Sequence, residues 1–173
     1  SCWAQAQNDD FNWTLDANGT PSFSTGPSDD ISGGGNYMFI ETSSGASGNI
    51  ATLNTVGIDL STLTTPELRF FSHMYGATTG SLNVDVSNDG GATYTQIFTK
   101  SGDQGNQWNE EMIDLSSYSG VVHFSITAIK GTSYTGDIAI DNFEVRETPS
   151  CLNPNLLSAS NVTNNSLDFG WTA

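Results

Sequence analysis

The chain has 173 residues, of which 19 are Asp or Glu and 4 are Lys or Arg, so its formal net charge is −15. This length fits one domain with a hydrophobic core, plus a fragment. We expect no nucleic-acid partner, because phosphate binding needs clustered basic side chains. No apolar run approaches the roughly 18 residues of a membrane span, so membrane insertion is not expected. The acidic, lysine-poor composition favours a secreted, extracellular protein.

Two cysteines lie near opposite ends of the chain, at Cys2 and Cys151. In an exported protein this placement is typical of a disulfide that joins the two ends of a domain. On the loop-entropy account such a bridge would stabilise the fold by roughly 5 kcal/mol. The alternative is two unpaired thiols, each in a separate linker.

The first patterned stretch is GPSDDISGGGNYMFIETSSG at residues 26–45, where Asp29, Asp30 and three glycines precede an alternating strand. Glycines allow backbone oxygens to turn inward without a Cβ clash. A cation would relieve the repulsion between neighbouring carboxylates. We therefore interpret this loop as a candidate cation site. The alternative is that Asp29 caps a turn, Asp30 faces water and the later Asp141 terminates a strand.

Later runs of alternating apolar and polar residues predict four β-strands. They cover residues 67–76, 81–91, 121–131 and 137–147, and a further strand, TYTQIFTK at residues 93–100, is predicted directly after the second run. The second run ends in Asn-Asp-Gly-Gly, a strong turn signal, and an extra residue at Asp141-Asn142 in the fourth indicates a β-bulge. No window of ten or more residues has the apolar period of a helix. The sequence therefore predicts an all-β, antiparallel sandwich.

The composition changes near residue 148, where ETPSCLNPNLL contains two prolines within six residues. In the tail that follows, Leu167, Phe169 and Trp171 alternate with polar residues and glycine. This tail resembles the first strand of a fibronectin type III module. We therefore divide the chain into a β-sandwich domain at residues 1–147 and a linker with a truncated fibronectin-like start at residues 148–173.

The β-sandwich domain contains five phrases in the order expected of a MAM domain. They are DDFNWTLDANGTPSFSTGPSDD, GNYMFIETSSG, LRFFSHMYGATTGSLNVDV, DQGNQWNEEMIDLSSYSG and GDIAIDNFEV. Residues 2–147 thus resemble this extracellular module, which is named after meprin, a neuronal receptor antigen and a receptor phosphatase. The hairpin SNDGGATYTQI is similar to hairpins of secreted bacterial modules, so we expect a bacterial member. The interior disulfides of animal members cannot form here, because the chain has only two cysteines.

The resemblance implies a jelly-roll β-sandwich, similar to carbohydrate-binding modules, that holds a structural cation. Ca²⁺ is the expected ion, with Na⁺ as the alternative. Hard cations take six to eight oxygen ligands, and we expect Asp10, Asp29, Asp30 and Asp141 to supply them together with loop carbonyls. The resemblance also implies that Trp13 and Trp108 are core residues.

Catalysis is the hypothesis weighed against a binding role. His73 and His123 occupy alternating positions of predicted strands and could share one sheet face with Asp85. No nucleophile-elbow serine, HExxH or CxxC pattern accompanies them. His73 also belongs to the family strand FFSHMYG, where packing is its expected role. We therefore predict a non-catalytic module.

Two binding functions remain, with a ligand-free spacer as a third reading. The first is an accessory module that binds polysaccharide and keeps an attached enzyme on it; the second is adhesion through a protein partner. The net charge favours a neutral polysaccharide, or an acidic polysaccharide that is bound through a bridging Ca²⁺ ion. Analogy with secreted polysaccharide-degrading chains favours the first function. The candidate ligand-binding residues are Tyr134, Tyr75, Arg69, His73, Asp85 and His123.

Overall fold

The structure is a computed structural model that describes residues 2–150, 155–160, 163 and 168–172. These residues form strands, turns and loops but no helix, and so include no helix long and apolar enough to cross a membrane. The strands are β1 (Trp3–Gln5), β2 (Thr14–Asp16), β3 (Tyr37–Ile40), β4 (Ile50–Thr55), β5 (Ile58–Asp59), β6 (Pro66–Met74), β7 (Ser81–Ser87), β8 (Thr95–Ser101), β9 (Trp108–Asp114), β10 (Val121–Ile129), β11 (Ile138–Glu147), β12 (Asn155–Ser160) and β13 (Asp168–Thr172).

The first eleven strands form two antiparallel sheets. The first sheet has the order β1-β4-β10-β7-β8, with β5 also paired to β10, and the second has the order β2-β3-β11-β6-β9. This architecture confirms the predicted all-β, antiparallel jelly-roll β-sandwich. Strands β12 and β13 pair with each other. The fibronectin-like assignment of residues 148–173 and the boundary at residue 147 stay predictions.

The main core lies between the two sheets and follows from the alternation of the strands. In β10, Val122, Phe124 and Ile126 are fully buried, and the intervening residues point away from the core. Trp13 is only 3% exposed and donates a hydrogen bond from Nε1 to the Ala51 carbonyl at 3.1 Å, so its predicted core position is confirmed. The four alternating runs predicted from residue 67 onward correspond to β6, β7, β10 and β11, and the strand predicted at residues 93–100 corresponds to β8.

The predicted β-bulge is present in β11. The pairing of β11 with β6 shifts its register between Asp141 and Glu144. Asn142 has a φ of 48°, in the left-handed region that Asn tolerates better than most residues. The bulge turns Phe143 into the core, where its ring packs edge-on against Phe124.

A second, smaller apolar cluster lies on the outward face of the second sheet. Tyr37, Phe39 and Ala139 form it, with Trp108 packed against them. Residues 17–36, which we call the cover loop, are tied to this face. Its attachments are hydrogen bonds from Trp108 Nε1 to the Asp29 carbonyl at 3.1 Å, from the Tyr37 hydroxyl to the Asn18 carbonyl, and from the Ile31 amide to Asp141 Oδ2 at 3.0 Å.

Candidate functional site

The four predicted ligand residues Arg69, His73, Asp85 and His123 do not share a sheet face. Arg69 and His73 lie in β6 of the second sheet, whereas Asp85 and His123 lie in β7 and β10 of the first sheet. The prediction that His73 and His123 share one sheet face is therefore wrong. Alternation within a strand shows which residues share a face of that strand, but the sheet that a strand joins depends on pairing with distant strands.

His73 has a packing environment, as its place in the family strand suggested. It is 2% exposed, and its ring packs edge-on against Trp108 and Tyr75. Its Nε2 is 3.1 Å from Asn106 Oδ1, while Nδ1 is buried without a partner. Burial lowers the pKa of His73, and the hydrogen bond to Asn106 partly offsets this. A neutral, enclosed imidazole cannot contact a ligand.

Arg69, Asp85 and His123 occupy ordinary sheet surfaces. The Arg69 guanidinium is 2.5 Å from Glu110 and 3.0 Å from Glu144, and these hydrogen bonds raise its pKa. Burial raises the pKa of Asp85. His123 is half-buried, and its Nδ1 is buried without a hydrogen-bond partner. Since the donors of Arg69 are used by carboxylates, its contribution is to bridge neighbouring strands.

The carboxylate of Asp30 is occupied by its own loop. It accepts hydrogen bonds from Ser32 Oγ, from the Gly34 amide at 2.6 Å and from the Gly35 amide at 2.8 Å. These hydrogen bonds, with that from Ser32 Oγ the largest influence, hold the pKa of Asp30 far below its ordinary value. The glycines thus turn amides, not carbonyls, toward the acid. Asp30 is buried, so the alternative that it faces water is wrong.

The other predicted metal ligands are divided between the two sheets. Asp141 accepts hydrogen bonds from the Ile31 and Asn142 amides, and Asp29 Oδ1 accepts one from the Asp30 amide at 2.9 Å. Asp10 instead accepts from the Ile50 amide of the first sheet at 2.8 Å.

The arrangement of these carboxylates does not fit one cation held by all four predicted ligands. Their oxygens are directed mainly at backbone amides, which compete with a metal for the same lone pairs. No group of three or more His, Cys, Asp or Glu side chains in the described part of the chain is arranged to hold a metal ion. The loop has the geometry of a hydrogen-bonded turn.

The clearest candidate site is an open groove at the end of the sandwich, which we call the loop groove. Its volume is about 400 Å³. Its walls come from part of the cover loop, from Tyr75, which directly follows β6, and from Asn106, which lies shortly before β9. The lining residues are Gly19, Thr20, Ser22, Phe23, Ser24, Thr25, Gly26, Pro27, Ser28, Tyr75 and Asn106.

Hydrogen bonds position the groove on the sheet. Thr25 Oγ1 donates to the Tyr75 carbonyl at 2.8 Å and accepts from the Asp137 amide at 2.8 Å, so it joins the cover loop to the ends of β6 and β11. Ser24 has a φ of 59°, which turns the loop sharply beside Phe23. The described geometry therefore includes the predicted residue Tyr75 in the site.

Tyr134 lies in a neighbouring loop of the same end. It is 53% exposed, and its carbonyl oxygen lies 3.1 Å from Thr42 Oγ1. Phe23 and Asn106 are groove residues that the sequence analysis missed. A signal was present for Phe23, because it is the single aromatic residue within the stretch TPSFSTG.

A second hollow, of about 240 Å³, opens at the edge of the sandwich where β1 and β2 are the outermost strands. Its apolar wall includes Trp3, Leu15, Met38 and Phe143. Trp3 packs edge-on against Phe143, and Leu15 is 63% exposed. This hollow has the character of a protein-contact surface more than that of a sugar site.

Cys2 is exposed. Its predicted partner Cys151 lies outside the described residues, so the disulfide stays a prediction.

The two sheets and the loop groove define a jelly-roll β-sandwich with an open groove at one end. The chain belongs to the MAM domain family: the model of the MAM domain, meprin/A5/mu, matches residues 1–151. The bacterial assignment stays a prediction.

The relatives are much longer proteins. The chain is 38% identical over 153 residues to the human MAM domain-containing glycosylphosphatidylinositol anchor protein 1, covering 84% of this chain and 16% of that protein. It is 26% identical over 152 residues to Neuropilin-1a of Danio rerio, covering 83% of this chain and 16% of that protein. The chain thus spans about a sixth of the length of these relatives.

Solved structures share the fold at low sequence identity. The K1 cleaved adhesin domain of Lys-gingipain from Porphyromonas gingivalis W83 superposes with a TM-score of 0.59 at 17% identity, covering 86% of this chain and 92% of that domain. TmCBM61, solved in complex with β-1,4-galactotriose, has a TM-score of 0.55 at 12% identity, covering 86% of this chain and 90% of that chain. At these identities the likeness establishes a common architecture.

Proposed function

We propose that residues 1–147 are a non-catalytic carbohydrate-binding module of a secreted, multidomain protein, and that the loop groove binds a neutral polysaccharide. The module would keep an attached enzyme domain on its substrate, because a weak tethered contact raises the local concentration. The observation that carries this proposal is the exposed aromatic ring of Phe23 beside the groove.

Phe23 is 87% exposed at the wall of the loop groove. A ring in this position is available to the apolar face of a sugar, which stacks on aromatic side chains. Tyr75 lines the same groove. Their rings offer the apolar contact that a polysaccharide needs.

The rest of the groove is polar and uncharged. Ser22, Ser24, Thr25 and Asn106 supply hydroxyl and amide groups, and no Lys, Arg, Asp or Glu is among the lining residues. Sugar hydroxyls donate and accept hydrogen bonds, so these neutral groups complement them. With a net charge of −15 on the whole chain, this lining favours a neutral polymer over a sulfated or uronic one.

The apolar hollow supports a second candidate function, adhesion through a protein partner. Trp3, Leu15 and Met38 line it, and aromatic and Met side chains are enriched at the centres of protein interfaces. The two functions use different surfaces, because the hollow lies at the β1 and β2 edge. Single substitutions therefore distinguish them.

A binding panel tests the two candidates together. The purified domain would be applied to immobilised neutral and acidic polysaccharides, with β-1,4-galactan included because TmCBM61 was solved with galactotriose. If the domain binds carbohydrate in the loop groove, a neutral polymer should capture the wild type. Phe23→Ser should no longer be captured, whereas the matched variant Leu15→Ser should still be captured. Capture that survives Phe23→Ser, or that only Leu15→Ser abolishes, would contradict a site in the loop groove.

A further inference from the structure

We propose that Glu41 and Asp137 hold a divalent, oxygen-preferring cation of the Ca²⁺ class beneath the cover loop. This site differs from the Asp10, Asp29, Asp30 and Asp141 set that the sequence predicted. It stands independently of carbohydrate binding, because it is argued from buried oxygens on the outward face of the second sheet.

Strand register brings the two acids together. β3 and β11 are antiparallel, with Ile40 opposite Ile138. Glu41 directly follows Ile40 and Asp137 directly precedes Ile138, so the two acids lie just beyond the last residue pair of this ladder. Like charges that face each other on neighbouring strands repel. The charge of Glu41 acts on Asp137, where it contributes to a raised pKa, and a bound cation would relieve this repulsion.

Asp137 is completely buried and presents one unused oxygen. Its Oδ1 accepts hydrogen bonds from the Thr42 amide and from Thr42 Oγ1, both at 2.9 Å. Its Oδ2 is buried with no hydrogen-bond partner. The nearby Thr20 hydroxyl also interacts with the Asp137 carboxylate and partly offsets the rise in its pKa, and it donates a hydrogen bond to the Thr25 carbonyl at 3.3 Å. The Thr20 oxygen is therefore available as a further ligand.

The carboxylate of Glu41, like that of Asp137, has one hydrogen-bonded oxygen and one buried oxygen without a partner. Its Oε1 accepts hydrogen bonds from Ser22 Oγ at 3.0 Å, from the Ser43 amide at 2.9 Å and from Ser43 Oγ at 2.6 Å. Its Oε2 is buried without a partner. Each acid thus has one oxygen fixed by hydrogen bonds and the other left unsatisfied, which is costly for a buried carboxylate unless a ligand completes it.

Basic side chains do not satisfy these oxygens. Arg69, Lys100 and Arg146 pair with other glutamates. Lys130 is the fourth basic residue, and no ion pair joins it to either acid among the described residues. Burial, as the largest influence, raises the pKa of Asp137, and the charge of Glu41 adds to this effect. An all-oxygen site with two carboxylates matches the ligand preference and charge of Ca²⁺.

The cation would fix the cover loop to the sheet. Ser22 contacts Glu41, and Thr20 lies near Asp137, so both sides of the site include residues of the cover loop. A chelator would then loosen the loop as well as lower the stability, because binding to the folded state alone raises the apparent stability.

Calorimetric titration of the chelated protein with Ca²⁺, paired with thermal unfolding, tests the proposal without any sugar. We expect one Ca²⁺ per chain and a rise in Tm. Asp137→Asn and Glu41→Gln should each weaken binding at least about tenfold, while the matched variant Asp29→Asn keeps it. Two variants are used so that the test remains valid if one of them fails to fold.

Three results would overturn the proposal. The first is absence of Ca²⁺ binding by the folded wild type. The second is binding that survives in folded Asp137→Asn and Glu41→Gln. The third is a loss of Ca²⁺ binding in Asp29→Asn together with unchanged Ca²⁺ binding in Asp137→Asn. A proton shared by the two acids would give the first result, together with higher stability in acid. Failure of polysaccharide binding leaves each of these readouts unchanged, so the two proposals fail separately.

Discussion

The indole of Trp108 donates a hydrogen bond from Nε1 to the backbone carbonyl of Asp29 at 3.1 Å. This bond joins the start of β9 to the cover loop, which supplies most of the wall of the loop groove. Trp108 also packs edge-on against Tyr37 and His73. The aromatic cluster on the outward face of the second sheet is therefore the base on which the candidate binding loop rests.

Trp108→Phe should keep most of this packing but remove the donor. We expect a loss of about 1 kcal/mol in the free energy of unfolding, typical of one hydrogen bond, measured by urea denaturation. The 61% exposed Met112 gives a matched control in the same strand, since Met112→Ala should change stability by less than about 0.5 kcal/mol. Equal stability of Trp108→Phe and wild type would contradict the anchoring role.

Asp30→Asn should lower Tm at neutral pH, because it removes the charge that Ser32, Gly34 and Gly35 stabilise. The pKa of Asp30 is lowered from its ordinary value of 3.8. The contribution of the Asp30 charge to stability is thus fully present above about pH 3.8, and it is lost as the pH falls through the lower, folded-state pKa. The Tm difference between wild type and variant should shrink in strong acid. A difference independent of pH would show that the carboxylate charge has no part in it.

His73 should make the fold less stable in mild acid. Burial lowers its pKa from the ordinary 6.5, so the unfolded chain takes up the proton first. The stability that the neutral His73 contributes is fully present above about pH 6.5, and it is lost as the pH falls through the folded-state pKa. Because Asp137 has the opposite shift, the informative quantity is the difference between wild type and His73→Gln across pH. We expect the variant to lose less stability on acidification, and identical pH profiles would disprove the assignment.

Gly80→Ala should destabilise the fold strongly. A Cβ at Gly80 would overlap the Ile129 carbonyl oxygen and crowd the Gly131 amide, where two backbone segments approach closely. We expect a loss of more than about 2 kcal/mol in the free energy of unfolding. In Gly19→Ala the new Cβ would have its nearest contacts at 3.7 Å, so that control should be mild. Equal effects in the two variants would argue against the close approach.

Much of the fold could be predicted from local sequence patterns. The alternation of Val122, Phe124 and Ile126 defines both the strand and its buried face, because side chains on a strand repeat every second residue. The bulge at Asn142 was also predictable, since one extra residue interrupts the apolar period of β11. The family phrases added the jelly-roll architecture, which strand patterns alone do not specify.

The candidate sites were less predictable because they depend on long-range pairing. His73 and His123 have similar local patterns but lie in different sheets. Asp137 meets Glu41 only through the register of β3 and β11, which are far apart in the sequence. By contrast, the turn around Asp30 is local, and a serine with three glycines after an aspartate is a signal for amide hydrogen bonds to its carboxylate.

Affinity gel electrophoresis is the most direct measurement of the central claim. Wild type, Phe23→Ser and Leu15→Ser would be run through gels that contain single polysaccharides, each with Ca²⁺ and with chelator. We expect a neutral polysaccharide to slow wild type and Leu15→Ser but not Phe23→Ser, with weaker retardation in chelator. Unchanged mobility of wild type in every neutral polymer, or equal retardation of Phe23→Ser, would contradict carbohydrate binding at the loop groove.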